Sequence, residues 1–382
     1  MPAFLIPILI IIGIFAVTAG DELISGINLP IPDFRLFATS QDREESPSAV
    51  PPPSGISQAP FVPSPAFILD TVITQGPGEG SILSDSNVVT FEFEGSTVPS
   101  DTAGRVTFET RVQGVDQDWV RTSGRQRTIT LPGGDSDYTF EVRSKLGTAT
   151  DLTPATRAFS IKVSPSFGDV TVSFRRSTAS QPFLATLTPR LGTGETLSVS
   201  GWTLQSTTGS FSLGYGTERV LALGTSFQDP ITVKRGDRIL VSGAASPFGA
   251  GGNFKPNICI GWLKEFYTFP LSVPGSCPDR LRLEDVSFLN PSCQDFLLQK
   301  VSFTKCEVPN YSQNTAVAGD SQCVSYINSN LTYNACVARH AQDATFLKNE
   351  WQVFANRSFG HLTRDTIRLL DGNGLLVDEY IY

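Results

Sequence analysis

Short runs in which apolar and polar residues alternate recur through most of this chain, and they constrain its fold more than any other feature. Val89, Phe91 and Phe93 alternate with Thr90, Glu92 and Glu94. In the next run Val106, Phe108 and Val112 fall on one face, and Arg105, Glu109 and Arg111 on the other. Tyr138, Phe140 and Val142 repeat the pattern, as do Phe159, Ile161 and Val163. Successive side chains of a strand point to opposite faces, so such runs, separated by turn residues, specify half-buried strands in a two-sheet domain. Composition agrees: charged residues make up 17% of the chain, while 33 Gly and 26 Pro supply turns.

Charge narrows the partners. The net charge is −8, and Lys and Arg never cluster beyond a pair. A phosphate backbone is tracked by clustered cations, so no nucleic acid is expected as a partner. All six cysteines lie between Cys259 and Cys336. No Cys-x-x-Cys pair occurs and the only histidines are His340 and His361, so the usual zinc spacings are missing. An even, localised set of cysteines in an exported chain reads as disulfides.

Export is read from the N-terminus. Met1 to Gly20 carries no charged side chain, and Asp21-Glu22 ends the run. That length is near the minimum of about 17–20 residues that span a bilayer. Two readings stand: a signal peptide cleaved after Val17-Thr18-Ala19, or an N-terminal membrane anchor. Residues 21–66 are polar and punctuated by prolines, including Pro51 to Pro53, and read as a disordered linker. Residues 67–163 read as one small β-domain. Its "FETRVQGVDQDWV" and "LPGGDSDYTFEVRS" resemble fibronectin type III and related immunoglobulin-like modules of bacterial surface proteins, which implies a spacer or binding module and no chemistry. Two acidic pairs, Asp116 with Asp118 and Asp135 with Asp137, sit in short turns where Asp is favoured for backbone reasons, and no metal is expected there.

Residues 164–382 begin a second β-domain. "GDVTVSF" alternates Val170, Val172 and Phe174, and "GETLSVSGWTL" carries Trp202 behind Ser200-Gly201. "VKRGDRILVSG" runs a turn at Arg235-Gly236-Asp237 into a strand, so the tripeptide is read as turn chemistry rather than as an adhesion sequence. In the closing "IRLLDGNGLLVDEYIY", Asp371-Gly372-Asn373-Gly374 supplies the residues a tight β-turn needs. Gly201, Trp202, Leu204, Gly236, Asp237, Leu369, Asp371, Gly374, Val377 and Asp378 together resemble the lamin tail domain. The resemblance covers residues 167–242 and 351–382 and implies an immunoglobulin-like β-sandwich; it says little about activity. The chain departs from that pattern in a weak opening strand motif and in a long cysteine-bearing insertion. Trp202 is read as a core ring. The expected fold class is mainly β, with two immunoglobulin-like β-sandwiches. The second, lamin-tail-like, carries a small disulfide-stapled, partly helical insertion at about residues 246–345.

Within that insertion, twelve residues separate Cys293 from Cys306, and twelve separate Cys323 from Cys336. Asn290-Pro291-Ser292 offers a helix N-terminus before Cys293. Two antiparallel helices carrying these pairs predict Cys293 bonded to Cys336 and Cys306 to Cys323, with Cys259 to Cys277 closing a local loop; six cysteines allow fifteen pairings. Trp262, Phe266, Tyr267 and Phe269 form either a contact surface or the insertion's own small core.

Chemistry-bearing motifs are missing. There is no Gly-x-Ser-x-Gly, no phosphate loop and no His-Glu-x-x-His, and two histidines in polar stretches give little to build a triad from. No catalytic residue, metal or cofactor is expected. Asn310, Asn330 and Asn356 head Asn-x-Ser/Thr sites. The chain reads as a non-catalytic cell-surface or secreted protein, extracellular and tied to a membrane through its N-terminal segment if that is retained. Its expected work is adhesion, envelope attachment, or recognition of an envelope protein or glycan. An accessory module of, or a divergent, secreted hydrolase is the alternative, and a structural envelope scaffold a third.

Overall fold

The computed structural model describes residues 68–98, 100, 105–220, 228–361 and 363–382, and the apolar segment and linker expected over 1–66 lie outside them. The chain is mainly β. Among the described residues, nine strands build the first sandwich: β1 (Ile68–Gln75), β2 (Ser81–Leu83), β3 (Val88–Val98), β4 (Thr107–Val112), β5 (Val120–Thr122), β6 (Gln126–Thr130), β7 (Gly134–Leu146), β8 (Ala149–Thr150) and β9 (Ala155–Val163). β1, β3 and β6 make one sheet, and β5, β4, β7 and β9 run side by side in the other. The alternating residues meet between them: Phe91, Phe93, Phe140, Phe159 and Ile161 are fully buried, and Phe91 stacks on Phe140 with centroids 3.9 Å apart. On the outer face the register sets Glu109 opposite Arg143 and Arg111 opposite Glu141. Both cross-strand pairs close as ion pairs, and the two guanidinium groups flank the Trp119 ring at 4.9 and 4.1 Å.

Ser164 leads into the second sandwich: β10 (Val170–Arg175), β11 (Leu184–Pro189), β12 (Thr196–Ser198), β13 (Thr203–Ser206), β14 (Gly209–Ser212), β15 (Tyr215–Thr217), β16 (Asp229–Pro230), β17 (Thr232–Lys234), β18 (Arg238–Ser242), β19 (Asn253–Phe254), β20 (Glu350–Phe354), β21 (Thr366–Leu370) and β22 (Leu376–Ile381). One sheet orders β10-β11-β18-β20-β19-β15-β16. The facing sheet, β14-β13-β21-β22, continues into β9 of the first sandwich through a parallel pairing of Leu376 with Val163. The Ser164 N–H donating to the Leu376 carbonyl at 2.8 Å extends that seam. Trp202 is a core residue, buried with Leu204, Leu213 and Leu369. The terminal hairpin turns on Asp371, whose Oδ1 accepts the Asn373 and Leu375 amides, with Gly374 at φ 79 where a side chain would be strained. Asp378 reaches across to accept the Val172 N–H at 2.6 Å, locking the hairpin to the domain's first strand. Asp237 is buried and accepts the Lys234 amide at 3.1 Å, so the Arg235-Gly236-Asp237 turn faces its carboxylate inward.

The insertion leaves after β19 and returns on β20, two neighbouring strands paired at Phe254 and Gln352. Its elements are short: a 3-10 turn (Ile260–Leu263), then α1 (Leu283–Val286), α2 (Pro291–Gln299), α3 (Thr315–Ala318), α4 (Ser321–Asn330) and α5 (Tyr333–His340). Each longer helix has a side-chain cap: Asn290 Oδ1, as expected, accepts the Cys293 amide, Asp320 accepts that of Gln322, and Thr332 that of Ala335. The disulfides correct the predicted pairing in every bond. They join Cys259 to Cys336, Cys277 to Cys306, and Cys293 to Cys323. The prediction assumed one helix across each twelve-residue spacing. Instead α2 ends at Gln299 and leaves Cys306 in a loop at φ 51. The Thr332 cap divides the second spacing, so Cys323 and Cys336 lie on different helices. The six half-cystines are all buried inside one apolar cluster with Leu297, Val317, Ile327 and Tyr333.

Candidate functional site

Two of these disulfides shape the most promising concave surface. Cys259, immediately before the 3-10 turn, is tied to α5, and Cys306 is drawn toward Gly261 of that turn; a β-carbon at Gly261 would lie 2.5 Å from the Cys306 sulfur. Between the 3-10 turn with the residues that follow it, the 308–312 loop, the end of α4 and the start of α5 lies a cleft of about 890 Å³. That is the upper part of the range typical of small-molecule sites, roughly 300–1,000 Å³.

The floor is apolar and fixed. Leu263, Ile327 and Leu331 are buried, and Trp262, 7% exposed, stands edge-on to Phe303. Tyr333 is also buried, its hydroxyl accepting from Asn257 Nδ2 at 2.9 Å, and burial pushes its phenol up to about 12. The rim differs. Phe266 is 71% exposed, Tyr267 and Tyr311 are half-buried, and Asn310, Asn328 and Asn334 present their amides.

The four aromatic residues singled out from sequence therefore divide. Trp262 belongs to the insertion core while lining the cleft, and Phe266 is exposed on the rim. Tyr267 lines the cleft and packs edge-on against Phe248 at 4.9 Å. Phe269 lies outside the cleft and packs against Phe248 and Phe254. Tyr333, Asn328 and Asn334 were missed because residues 323–336 read as a single helix, and Tyr311 because it sits in a loop that carries no periodic signal. The signal was present: "NSNLTYN" contains a helix end followed at once by the Thr332 cap.

Of the two histidines, His340 is held by two carboxylates. Its Nε2 lies 2.7 Å from Asp279 Oδ1 and its Nδ1 2.7 Å from Asp343 Oδ2, while Arg339 Nε donates to Asp279 Oδ2. The Asp343 bond, with Asp279 beside it, raises the imidazole above its ordinary value. The His361 imidazole pairs with Thr363, while its backbone donates to Asp365 and accepts from the Tyr382 hydroxyl. Asp116 is taken by Arg127 and the Val112 amide. Among the described residues no group of His, Cys, Asp and Glu is arranged to hold a metal ion.

No family model matches this chain, and no curated protein matches it. Among solved structures it is similar to the extracellular domain of a putative hybrid two component system from B. thetaiotaomicron, at 17% identity and TM-score 0.19, over 25% of this chain and 15% of that one. It is similar to the FN1-FN3 domains of chicken CNTN1 at 12% identity and TM-score 0.17, over 35% of this chain and 46% of that one. A third similarity is to a beta-glucuronidase of Bacteroides uniformis, at 9% identity and TM-score 0.18, over 36% and 18%. The matched parts fall well short of two thirds of those chains, and likenesses this loose decide neither architecture nor activity. The strand pairing above defines the class: a mainly β protein with a short, disulfide-stapled helical region.

Proposed function

We propose that this chain is an extracellular, non-catalytic recognition protein whose stapled insertion offers the cleft to a partner on the cell envelope. Three buried disulfides support an oxidising compartment, and the apolar N-terminal segment supports export. The lamin-tail-like sandwich serves as the platform, and the fibronectin-like sandwich, joined to it by a continuous sheet, holds it at a distance. The carrying observation is a rigid apolar floor rimmed by an aromatic ring, Phe266, that the fold itself leaves exposed.

For the hydrolase alternative, the titratable cluster to weigh is His340 with Asp279 and Asp343. Both imidazole nitrogens there face carboxylates, so neither is directed to a Ser or Cys nucleophile. Retention of the purified full chain by isolated cell envelopes tests the proposal. Phe266→Ala is expected to reduce retention at least tenfold with an unchanged thermal melt; unchanged retention removes the cleft from the function. Turnover of a peptide, phosphodiester or polysaccharide that is lost in Asp279→Asn would overturn the non-catalytic reading.

A further inference from the structure

Resting on the reading of the cleft as a binding site, we infer that its ligand is a neutral oligosaccharide. Among the described residues no Lys, Arg or His lines the cleft, and its one acidic residue is Glu265. An anionic ligand would meet a like charge with no compensating cation. The polar complement is amide-rich. Asn328 and Asn334 are exposed, and their side chains make no hydrogen bond to any described residue. Each offers one carbonyl oxygen and two N–H donors, which suits adjacent hydroxyls that both donate and accept. Asn310 adds a third amide, whose Oδ1 already accepts the Ser312 N–H at 2.9 Å while its NH2 group stays free to donate.

The rings supply the other half of sugar chemistry. A pyranose is amphipathic, with C–H groups on its faces and hydroxyls at its edge. Phe266 and Tyr311 line the same cleft as the amides, so a sugar face can lie on a ring while its edge reaches an amide. A wholly apolar ligand would leave these amides desolvated and unpaired, which opposes binding. A cleft of about 890 Å³ exceeds what one sugar ring fills, so a short oligomer is the fitting size.

The test is binding of the full chain to immobilised neutral oligosaccharides of glucose, mannose, xylose and N-acetylglucosamine, with heparin and polygalacturonate as anionic probes. Phe266→Ala, Asn328→Ala and Asn334→Ala each remove an exposed group, and Asn328→Asp keeps the shape while replacing the amide donors. The expected result is binding of at least one neutral oligosaccharide, indifferent to salt and at least tenfold weaker in every variant. Envelope retention that is sensitive to Phe266→Ala, without any neutral glycan bound, overturns the ligand class and leaves the cleft reading intact. Salt-dependent binding of the anionic probes alone, weakened by the same variants, does likewise. Binding that no variant weakens, or no binding to glycans or envelopes, overturns both.

Discussion

The first sandwich closes its core with rings and branched chains on long strands: Phe91, Phe93, Phe140 and Phe159 meet between sheets whose longest strand, β7, has 13 residues, and no cysteine takes part. The insertion has only helices of four to ten residues, and all six half-cystines sit inside its core. Isolated helices of that length are marginal in water. A long alternating strand buries a continuous face, and its ladder satisfies the backbone as it does so. Short helices do neither alone, so the insertion adds side-chain caps and covalent links. Each region is held by what its own segments lack.

Reduction should break this comparison open first. Each disulfide is worth about 2–5 kcal/mol in a small domain, so reducing all three should unfold the insertion while the first sandwich stays folded. Calorimetry with and without reductant is expected to separate two transitions; one unshifted transition would show that the bonds are dispensable. Phe140→Ala should act in the opposite region. Removing a fully buried Phe costs about 3–5 kcal/mol, and the loss should appear in the sandwich transition and spare the reductant-sensitive one.

The two regions should also answer pH oppositely. In the sandwich, burial raises the Glu109 and Asp116 carboxyls. Their hydrogen bonds, to Lys145 and Arg143 for Glu109 and to Arg127 and the Val112 amide for Asp116, outweigh it and hold both below their ordinary values. Their stabilisation is present above the unfolded values of 4.5 and 3.8 and is lost as pH falls through the lowered folded ones. His340 is raised, chiefly by Asp343, so its contribution is complete below the unfolded value of 6.5 and is lost as pH rises through the raised one. Melting across pH should thus weaken the sandwich on the acid side and the insertion toward neutral and alkaline pH, and His340→Gln should abolish only the latter trend. The smallest effect is expected from Phe266→Ala, within about 0.5 kcal/mol as for an ordinary surface change. A larger loss would return Phe266 to the insertion core.

How much could be read in advance depended on whether a residue's neighbours lay near it in sequence. Val89, Phe91 and Phe93 declare a buried face because strand alternation is local, and Asn290 declares a cap because its acceptor serves an amide three residues on. Trp202 was legible as core for the same reason. Phe266 and Phe269, three residues apart and chemically alike, were not separable: one is exposed on the cleft rim, and the other is covered by Phe248 and Phe254.

The alternating strands, their buried faces and the turn at Asp371-Gly374 were determined by the sequence alone, since each follows from backbone period and near-neighbour hydrogen bonding. The tertiary structure decided the rest. It joined Leu376 to Val163 so that one sheet runs through both sandwiches, and it paired Cys259 with Cys336 across 77 residues. It also brought the 3-10 turn, the 308–312 loop and the α4–α5 junction around one cleft. These are contacts between segments far apart in the chain. What selects them is the shared burial of apolar faces, and that appears in no single segment's pattern.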